Sequence, residues 1–255
     1  MRNSGVRREK ILQLLVDHGS LQVAELSEQC KVSLVTIRAD LAALEQHGKL
    51  TRKHGGAELN RVRPPEQSIY EKSQINMAAK ERIGAYAAKL VKPGDKIIID
   101  SGTTTAMLAR HLRNLTDISV MTNGLNVANA LVDAEGVELL LTGGRLHKES
   151  LSLHGPQAEA CLDHYIFDKL FFGVDGCDLQ FGITTHYEKE ASLNRKMVDR
   201  VRQVIVLADS AKFGKVALNH IVRLERVNTI ITDSELTKPY QEYMQQLGIE
   251  VIVVG

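Results

Sequence analysis

The sequence of 255 residues predicts two units of different fold class, a small helical unit followed by a larger α/β unit with a mostly parallel sheet. In the first sixty residues, apolar residues recur at three- and four-residue spacing, which is typical of the buried face of a helix. From residue 76 onward, short apolar runs alternate with helical patterns, which indicates repeated βα units with helices on both faces of a sheet. We therefore expect residues 1–57 and 76–255 to form the two units, joined by residues 58–75 as a linker. A loop packed on the larger unit is the alternative for that segment.

Three helices and a basic hairpin are predicted before residue 58. A first helix should run from Val6 to His18, and a second, short one over Val23–Cys30. Ser33 is well placed to cap a third helix that Gly48 ends. The basic stretch Lys49–Gly56 ends in Gly-Gly and favours a β-hairpin. This order of elements is that of a winged helix-turn-helix.

The outer face of the third helix and the hairpin supply candidate contacts to double-stranded DNA. If Ile37, Leu41 and Leu44 face the core, the opposite side of the helix can enter the major groove. Residues 1–63 hold eleven basic and seven acidic residues, whereas the rest of the chain is net acidic. A protein-binding module with a solvated basic face is the alternative. The candidate DNA-binding residues are Ser33, Val35, Thr36, Arg38 and Ala39 on the helix, and Lys49, Arg52, Lys53 and His54 on the hairpin.

Each predicted strand of the larger unit is a short apolar run that ends at Asp, Asn, Thr or Gly. Ile97–Ile99 is the clearest, because three consecutive β-branched residues favour a strand buried on both faces. Helices are predicted where apolar residues return to helical spacing, as after Thr105. The predicted strands are Lys96–Asp100, Ser119–Thr122, Val137–Leu141, Leu170–Val174, Val204–Ala208, Thr229–Ile231 and Val251–Val253. The predicted helices are Ala78–Val91, a helix ending near Arg113, Val127–Asp133, Glu188–Val201 and Tyr240–Leu247.

Polar, Gly-rich loops follow five of these strands. The carboxyl ends of parallel strands share one edge of the sheet, so the loops are expected to converge on one pocket. Threonine hydroxyls and amides at a helix N-terminus suit a phosphate, Lys212 adds a positive charge, and the carboxylates can bind sugar hydroxyls. Ordinary turns are the alternative. The candidate effector-binding residues are Asp100, Ser101, Gly102, Thr103, Thr104, Thr105, Asn123, Gly143, Gly144, Asp175, Glu188 and Lys212.

Two parts of the chain resemble the DeoR family of bacterial sugar-metabolism regulators. The run Val32–Ala57 is similar to the DNA-binding signature of that family, although many members carry a second Arg where this chain has Ala39. The Asp-Ser-Gly-Thr-Thr-Thr, Thr-Gly-Gly, Gly-Val-Asp-Gly and Asp-Ser-x-Lys-Phe runs are similar to its effector domain. The resemblance implies a fold like ribose-5-phosphate isomerase and phosphosugar effectors. Met121–Ala130 and Thr184–Arg195 are most like regulators of N-acetylgalactosamine and galactosamine catabolism.

These observations predict a transcriptional regulator. We expect it to be a repressor that a sugar phosphate releases from operator DNA. A phosphosugar isomerase that uses Asp100, Asp175 or Glu188 as its base is the alternative. An RNA-binding regulator is disfavoured because only 4% of the residues are aromatic. A homo-oligomer is expected, a dimer on the geometry of paired half-sites, and the resemblance also allows a tetramer.

Other classes of function find no support in the sequence. The three cysteines are scattered and the histidines show no HExxH spacing, so neither a metal site nor a cofactor is predicted. No signal peptide and no apolar run of membrane-spanning length are recognised, and a cytoplasmic location is expected.

Overall fold

The computed structural model describes residues 4–46, 50–53, 55–59 and 67–255. The chain divides into two compact units, Met1–Glu66 and Gln67–Gly255. None of the described helices is both long enough and apolar enough to cross a bilayer.

The first unit contains the three predicted helices and the predicted hairpin. One side of each helix is apolar, and these sides share a core that includes the fully buried Ile11, Leu26 and Ile37. Its elements are α1 (Ser4–His18), β1 (Ser20–Gln22), α2 (Val23–Cys30), α3 (Leu34–Gln46), β2 (Leu50–Lys53) and β3 (Gly56–Leu59).

Strand β1, which the sequence does not predict, joins the hairpin in a three-stranded antiparallel sheet of order β1-β3-β2. Gly56 makes this pairing possible, because a Cβ atom there would lie 2.5 Å from the carbonyl oxygen of Leu21. Gly55 adopts a positive φ of 83° at the turn, a conformation that favours glycine. The Gly-Gly pair therefore both turns the hairpin and lets β1 approach it.

The second unit is built on a seven-stranded, wholly parallel sheet of order β15-β14-β12-β9-β4-β5-β6. Its first elements are α4 (Ile69–Gln74), α5 (Met77–Ala88), β4 (Lys96–Ile99), α6 (Thr103–Leu112), β5 (Ile118–Thr122), α7 (Leu125–Leu131) and β6 (Val137–Leu141). Then come β7 (Arg145–His147), β8 (Ser152–His154), α8 (Pro156–Leu162), β9 (Phe167–Gly173), β10 (Gly176–Asp178), β11 (Gly182–Thr185), α9 (Glu188–Val198) and β12 (Val201–Leu207). The last are β13 (Asn219–Val222), β14 (Thr229–Asp233), α10 (Lys238–Gln246) and β15 (Glu250–Val254).

Alternate residues of the central strands feed two cores on opposite faces of the sheet. In β4, Ile98 packs in one core, whereas Ile97 and Ile99 pack in the other. The two-sided burial predicted from the isoleucine run is thus confirmed. The predicted parallel α/β architecture is confirmed as well, and strand boundaries differ from prediction by three residues at most.

Several elements of the second unit were not predicted. The hairpin β7–β8, the helix α8 and the small antiparallel sheet β10-β11-β13 lie where the sequence has no clear periodicity. Helix α4 stands inside the predicted linker, because Ser68 and Glu71 form a capping box that starts a helix. Residues 60–66 of the predicted linker lie outside the described residues.

Candidate functional site

Helix α3 presents one polar, exposed side in the first unit. Ser33 caps it as predicted, since the backbone N–H of Thr36 donates to Ser33 Oγ at 3.2 Å. Val35 is 72% exposed, and Arg38 and Ala39 are exposed beside it. The side with Ile37 is buried. The division into a core side and an outer side is therefore confirmed, and Val35, Arg38 and Ala39 lie on the exposed side, whereas the candidate Thr36 is half-buried.

A buried carboxylate holds α3 against α1. Asp40 is 2% exposed and accepts hydrogen bonds from Arg7 Nε at 2.5 Å and from Arg8 Nε at 2.9 Å. Burial opposes ionisation of Asp40, but the two arginines overcome it and lower the pKa of this carboxyl group. The orientation of the exposed side of α3 relative to α1 depends on these bonds.

The β2–β3 hairpin forms the candidate wing. Arg52 and Lys53 are exposed as predicted, and both have acidic neighbours. The backbone N–H of Arg52 donates to Glu45 Oε1 at 3.0 Å, and Lys53 Nζ lies 2.7 Å from Glu58 Oε1. The candidates Lys49 and His54 lie outside the described residues.

A cavity lies in the second unit at the carboxyl ends of β4, β9 and β12. The chain continues from β4 to one side of the sheet and returns at β9 on the other, so this is the topological switch point where ligands bind in such sheets. We call it the effector cavity. Its charged and polar side chains are Lys72, Lys80, Ser101, Thr103, Thr104, Ser150, Asp175, Glu190, Asp209 and Lys212.

The N-terminus of α6 opens into this cavity. Gly102 occupies the N-cap position, and no side chain caps the first turn. Asn126 Nδ2 donates to the carbonyl oxygen of Gly102 at 2.7 Å, and this hydrogen bond holds the loop that precedes α6. The amide groups of the first turn, beside the hydroxyls of Thr103 and Thr104, therefore remain available to an anion.

Positive and negative side chains both line the cavity. Lys72 Nζ lies 2.9 Å from Asp175 Oδ1, while Asp175 Oδ2 accepts from Thr185 Oγ1 at 3.0 Å. Burial disfavours the charged form of Asp175, yet Lys72, with His186 and Lys212, lowers its pKa to about 2. Asp175 is thus an ionised group that lines the cavity.

Two further lysines border the cavity. Lys80 is 3% exposed, and burial lowers its pKa to about 8 although Asp209 acts in the opposite direction. Burial also lowers the pKa of Lys212, which Asp175 partly counteracts. The cavity therefore concentrates cationic groups that are incompletely solvated, and a bound anion would gain from their charge.

Asp100 and Asn123 lie beneath the loop rather than on the cavity wall. Asn123 Oδ1 accepts from the backbone N–H of Ser101 at 2.9 Å. Asp100 is fully buried, burial raises its pKa to about 7, and within the described residues its Oδ2 has no hydrogen-bond partner. Thr105 is buried too. These three candidates shape the loop that presents Ser101 and the first turn of α6.

Three candidates are not brought to the effector cavity. Gly143 and Gly144 follow β6, the edge strand of the sheet, two positions away from β4. Glu188 borders a different cavity together with His154 and Tyr187. Within the described ranges, no three His, Cys, Asp or Glu side chains are grouped as a metal ion would need.

Sequence reasoning missed two lysines of the cavity, Lys72 and Lys80. They belong to α4 and α5, which precede the sheet in the chain, and the prediction considered only loops that follow strands. The weak signal available was the capping-box pattern at Ser68, which indicates structure within the supposed linker.

Both units match known domains. Residues 7–63 match the DeoR-like helix-turn-helix domain, and residues 75–234 match the DeoR C terminal sensor domain. A putative aga operon transcriptional repressor from Escherichia coli O157:H7 is 47% identical over 98% of this chain and 93% of its own length. The HTH-type transcriptional repressor GlcR from Bacillus subtilis (strain 168) is 35% identical over 95% and 93%. Ribose 5-phosphate isomerase A from Methanocaldococcus jannaschii aligns with 54% of this chain and 55% of its own, at a TM-score of 0.41 and 21% identity.

A DNA-binding head and a separate sensor unit with a ligand cavity define a ligand-responsive transcriptional regulator. The chain belongs to the DeoR family, as the runs quoted from both units predict.

Proposed function

We propose that this DeoR-family protein represses a sugar or amino-sugar catabolic operon and leaves its operator when a phosphorylated sugar binds the effector cavity. The observation that carries the proposal is that the uncapped first turn of α6 lines one cavity together with Lys72, Lys80 and Lys212. This is an arrangement suited to a phosphate group, because N–H groups, a helix dipole and cationic side chains converge. The names of the aga operon repressor and of GlcR support a carbohydrate effector.

The remaining polar groups of the cavity suit the sugar part of such a ligand. Asp175 is ionised, and Ser150 and Glu190 line the same cavity. These side chains can therefore bind hydroxyl or amino groups of a sugar. Asp175 keeps Lys72 as a partner when no ligand is bound. A phosphate would provide the lysines with a second anion, and this gives the site its preference for a charged sugar.

Operator binding is assigned to the exposed side of α3 and to the wing. Arg38 is placed to contact a base edge or a phosphate, and Arg52 and Lys53 to contact the backbone of the duplex. Paired half-sites read by two heads of a homodimer, or by a tetramer, fit this geometry. The protein would act in the cytoplasm, where operator DNA lies.

The isomerase alternative finds weaker support in the cavity. A general base works best when its pKa is near the operating pH. Asp175 has a pKa of about 2, Asp100 is fully buried, and Glu188 borders another cavity. None of the three carboxylates proposed as the base is both accessible to the effector cavity and suitably basic, and this favours the regulator.

Fluorescence anisotropy tests the proposal on DNA from upstream of the protein's own gene cluster. Binding is measured at fixed salt, alone and with galactosamine 6-phosphate, N-acetylgalactosamine 6-phosphate, glucose 6-phosphate or inorganic phosphate. If the protein is a repressor, it should bind this DNA specifically. One sugar phosphate should then weaken the binding roughly 5- to 150-fold. Specific binding that no compound changes would refute the effector assignment. Absence of specific binding, with turnover in an aldose–ketose assay, would favour the isomerase.

A further inference from the structure

We propose that residues 68–75, which contain α4, are a strap whose Lys72 exchanges Asp175 for the phosphate of the effector and so controls operator binding. The proposal rests on the proposed function and describes how the same cavity is coupled to the DNA-binding unit. In the chain, the strap is the first element of the sensor unit after residues 60–66. The strap is therefore the part of the sensor unit that lies nearest to the DNA-binding unit along the chain, and the proposal assigns the coupling to its position.

Polar contacts hold the strap on the rest of the sensor unit. Lys72 Nζ lies 2.9 Å from Asp175 Oδ1, and Lys80 Nζ donates to the carbonyl oxygen of Lys72 at 2.5 Å. The backbone N–H of Ile69 donates to the carbonyl oxygen of Glu149 at 2.6 Å, in the hairpin loop between β7 and β8. All of these contacts lie at or beside the effector cavity, since Ile69, Lys72 and Lys80 are part of its wall.

Apolar burial contributes little to this attachment. Helix α4 has six residues, none of them buried, and Tyr70 is 75% exposed. Helices of this length are not stable on their own, and segments with little buried apolar surface are the first to detach from a fold. The position of the strap therefore depends on the polar contacts with the cavity.

A phosphate in the cavity would compete for one of these contacts. Lys72 and Lys80 face the same space as the first turn of α6, so a dianion bound at that turn attracts both ammonium groups. Asp175 does not depend on Lys72 alone, because Thr185 Oγ1 and the N–H of His186 also donate to it. When Lys72 leaves, the carboxylate of Asp175 therefore keeps two hydrogen bonds. The empty protein, with Lys72 on Asp175, is the operator-binding arrangement, and the effector favours the other.

The test is Lys72→Gln, which removes the exchangeable charge, compared with Lys72→Arg, which keeps it. Lys92→Gln is the matched control, because Lys92 is an exposed lysine of the same unit outside the cavity. Each full-length variant is measured in two ways. Anisotropy gives operator affinity with and without galactosamine 6-phosphate and N-acetylgalactosamine 6-phosphate, and calorimetry gives binding of the same compounds in the absence of DNA.

We expect empty Lys72→Gln to bind the operator as weakly as the effector-loaded unchanged protein, with a remaining effector response below about twofold. Calorimetry should still detect the sugar phosphate, which shows that the cavity is folded. Lys72→Arg, which keeps the charge, should respond more strongly to the effector than Lys72→Gln does, and Lys92→Gln should respond as the unchanged protein does.

Two results would overturn the exchange. One is empty Lys72→Gln with unchanged operator affinity and a full effector response. The other is unchanged operator affinity with loss of sugar-phosphate binding, since Lys72 would then be only a ligand. If the unchanged protein itself responds to no sugar phosphate, the proposed function fails, and the strap mechanism fails with it.

Discussion

Replacing Lys212 by alanine tests the effector cavity most directly. Lys212 borders the same cavity as the uncapped first turn of α6 and is partly withdrawn from solvent. A hydrogen bond to a charged group contributes about 1.5–3 kcal/mol, and each 1.4 kcal/mol is a factor of ten in affinity. We therefore expect sugar-phosphate affinity to fall by about 10- to 150-fold, as measured by calorimetry, while operator affinity without effector stays the same.

Lys215→Ala is the matched control for this change. Lys215 is exposed, three residues farther along the chain, and is not part of the cavity wall. An effector affinity of Lys212→Ala equal to that of the unchanged protein would refute the assignment of Lys212. Equal losses in both variants would point to a general effect of net charge rather than to a specific contact.

Three further predictions concern the recognition helix, a buried lysine and a buried aspartate. Arg38→Ala should weaken operator binding by about 1–3 kcal/mol in anisotropy and leave calorimetric effector binding intact; unchanged operator affinity would contradict the orientation of α3. Because the pKa of Lys80 is lowered to about 8, effector affinity should decline from pH 7 to pH 9, and calorimetry of Lys80→Met should show a weaker affinity without that decline. Asp40 has a lowered pKa, so its contribution to stability is present above its unfolded pKa near 4 and is lost as pH falls through the lower folded value. Urea unfolding between pH 5 and pH 3 should therefore depend less on pH in Asp40→Asn, and identical pH profiles would show that Asp40 does not carry this effect.

The strands of the parallel sheet were predictable because the pattern of apolar residues in each one matches the burial of that strand in the fold. Ile97–Ile99 is apolar on every residue, and both faces of its strand are covered by helices. The hairpin β7–β8 and the sheet β10-β11-β13 have no comparable pattern, since strands of only three or four residues are too short to show one. Their pairing depends on tertiary contacts that no local window contains.

The candidate site was predictable to the extent that it follows from sheet topology. Loops after β4, β9 and β12 meet because these strands are adjacent, whereas Gly143 and Gly144 are separated from them by β5. Strand order cannot be read from the alternation of helices and strands, so five converging loops were expected where three meet. Lys72 and Lys80 reach the cavity from helices that precede the sheet, and only the folded arrangement reveals their position.

The ion pairs of the buried Asp40 should reduce the dependence of operator binding on salt concentration. Arg7 and Arg8 both point their guanidinium groups at this carboxylate, and the side chain of Arg7 is only 15% exposed. Binding to duplex DNA releases counterions in proportion to the phosphates neutralised, with a log–log slope of about −0.9 for each. Arg7 and Arg8 count toward the basic excess of the N-terminal segment, but both are already paired with a carboxylate. They should therefore displace few counterions from DNA on binding. The slope should be shallower than a count of lysines and arginines implies, and operator binding correspondingly less sensitive to changes in ionic strength.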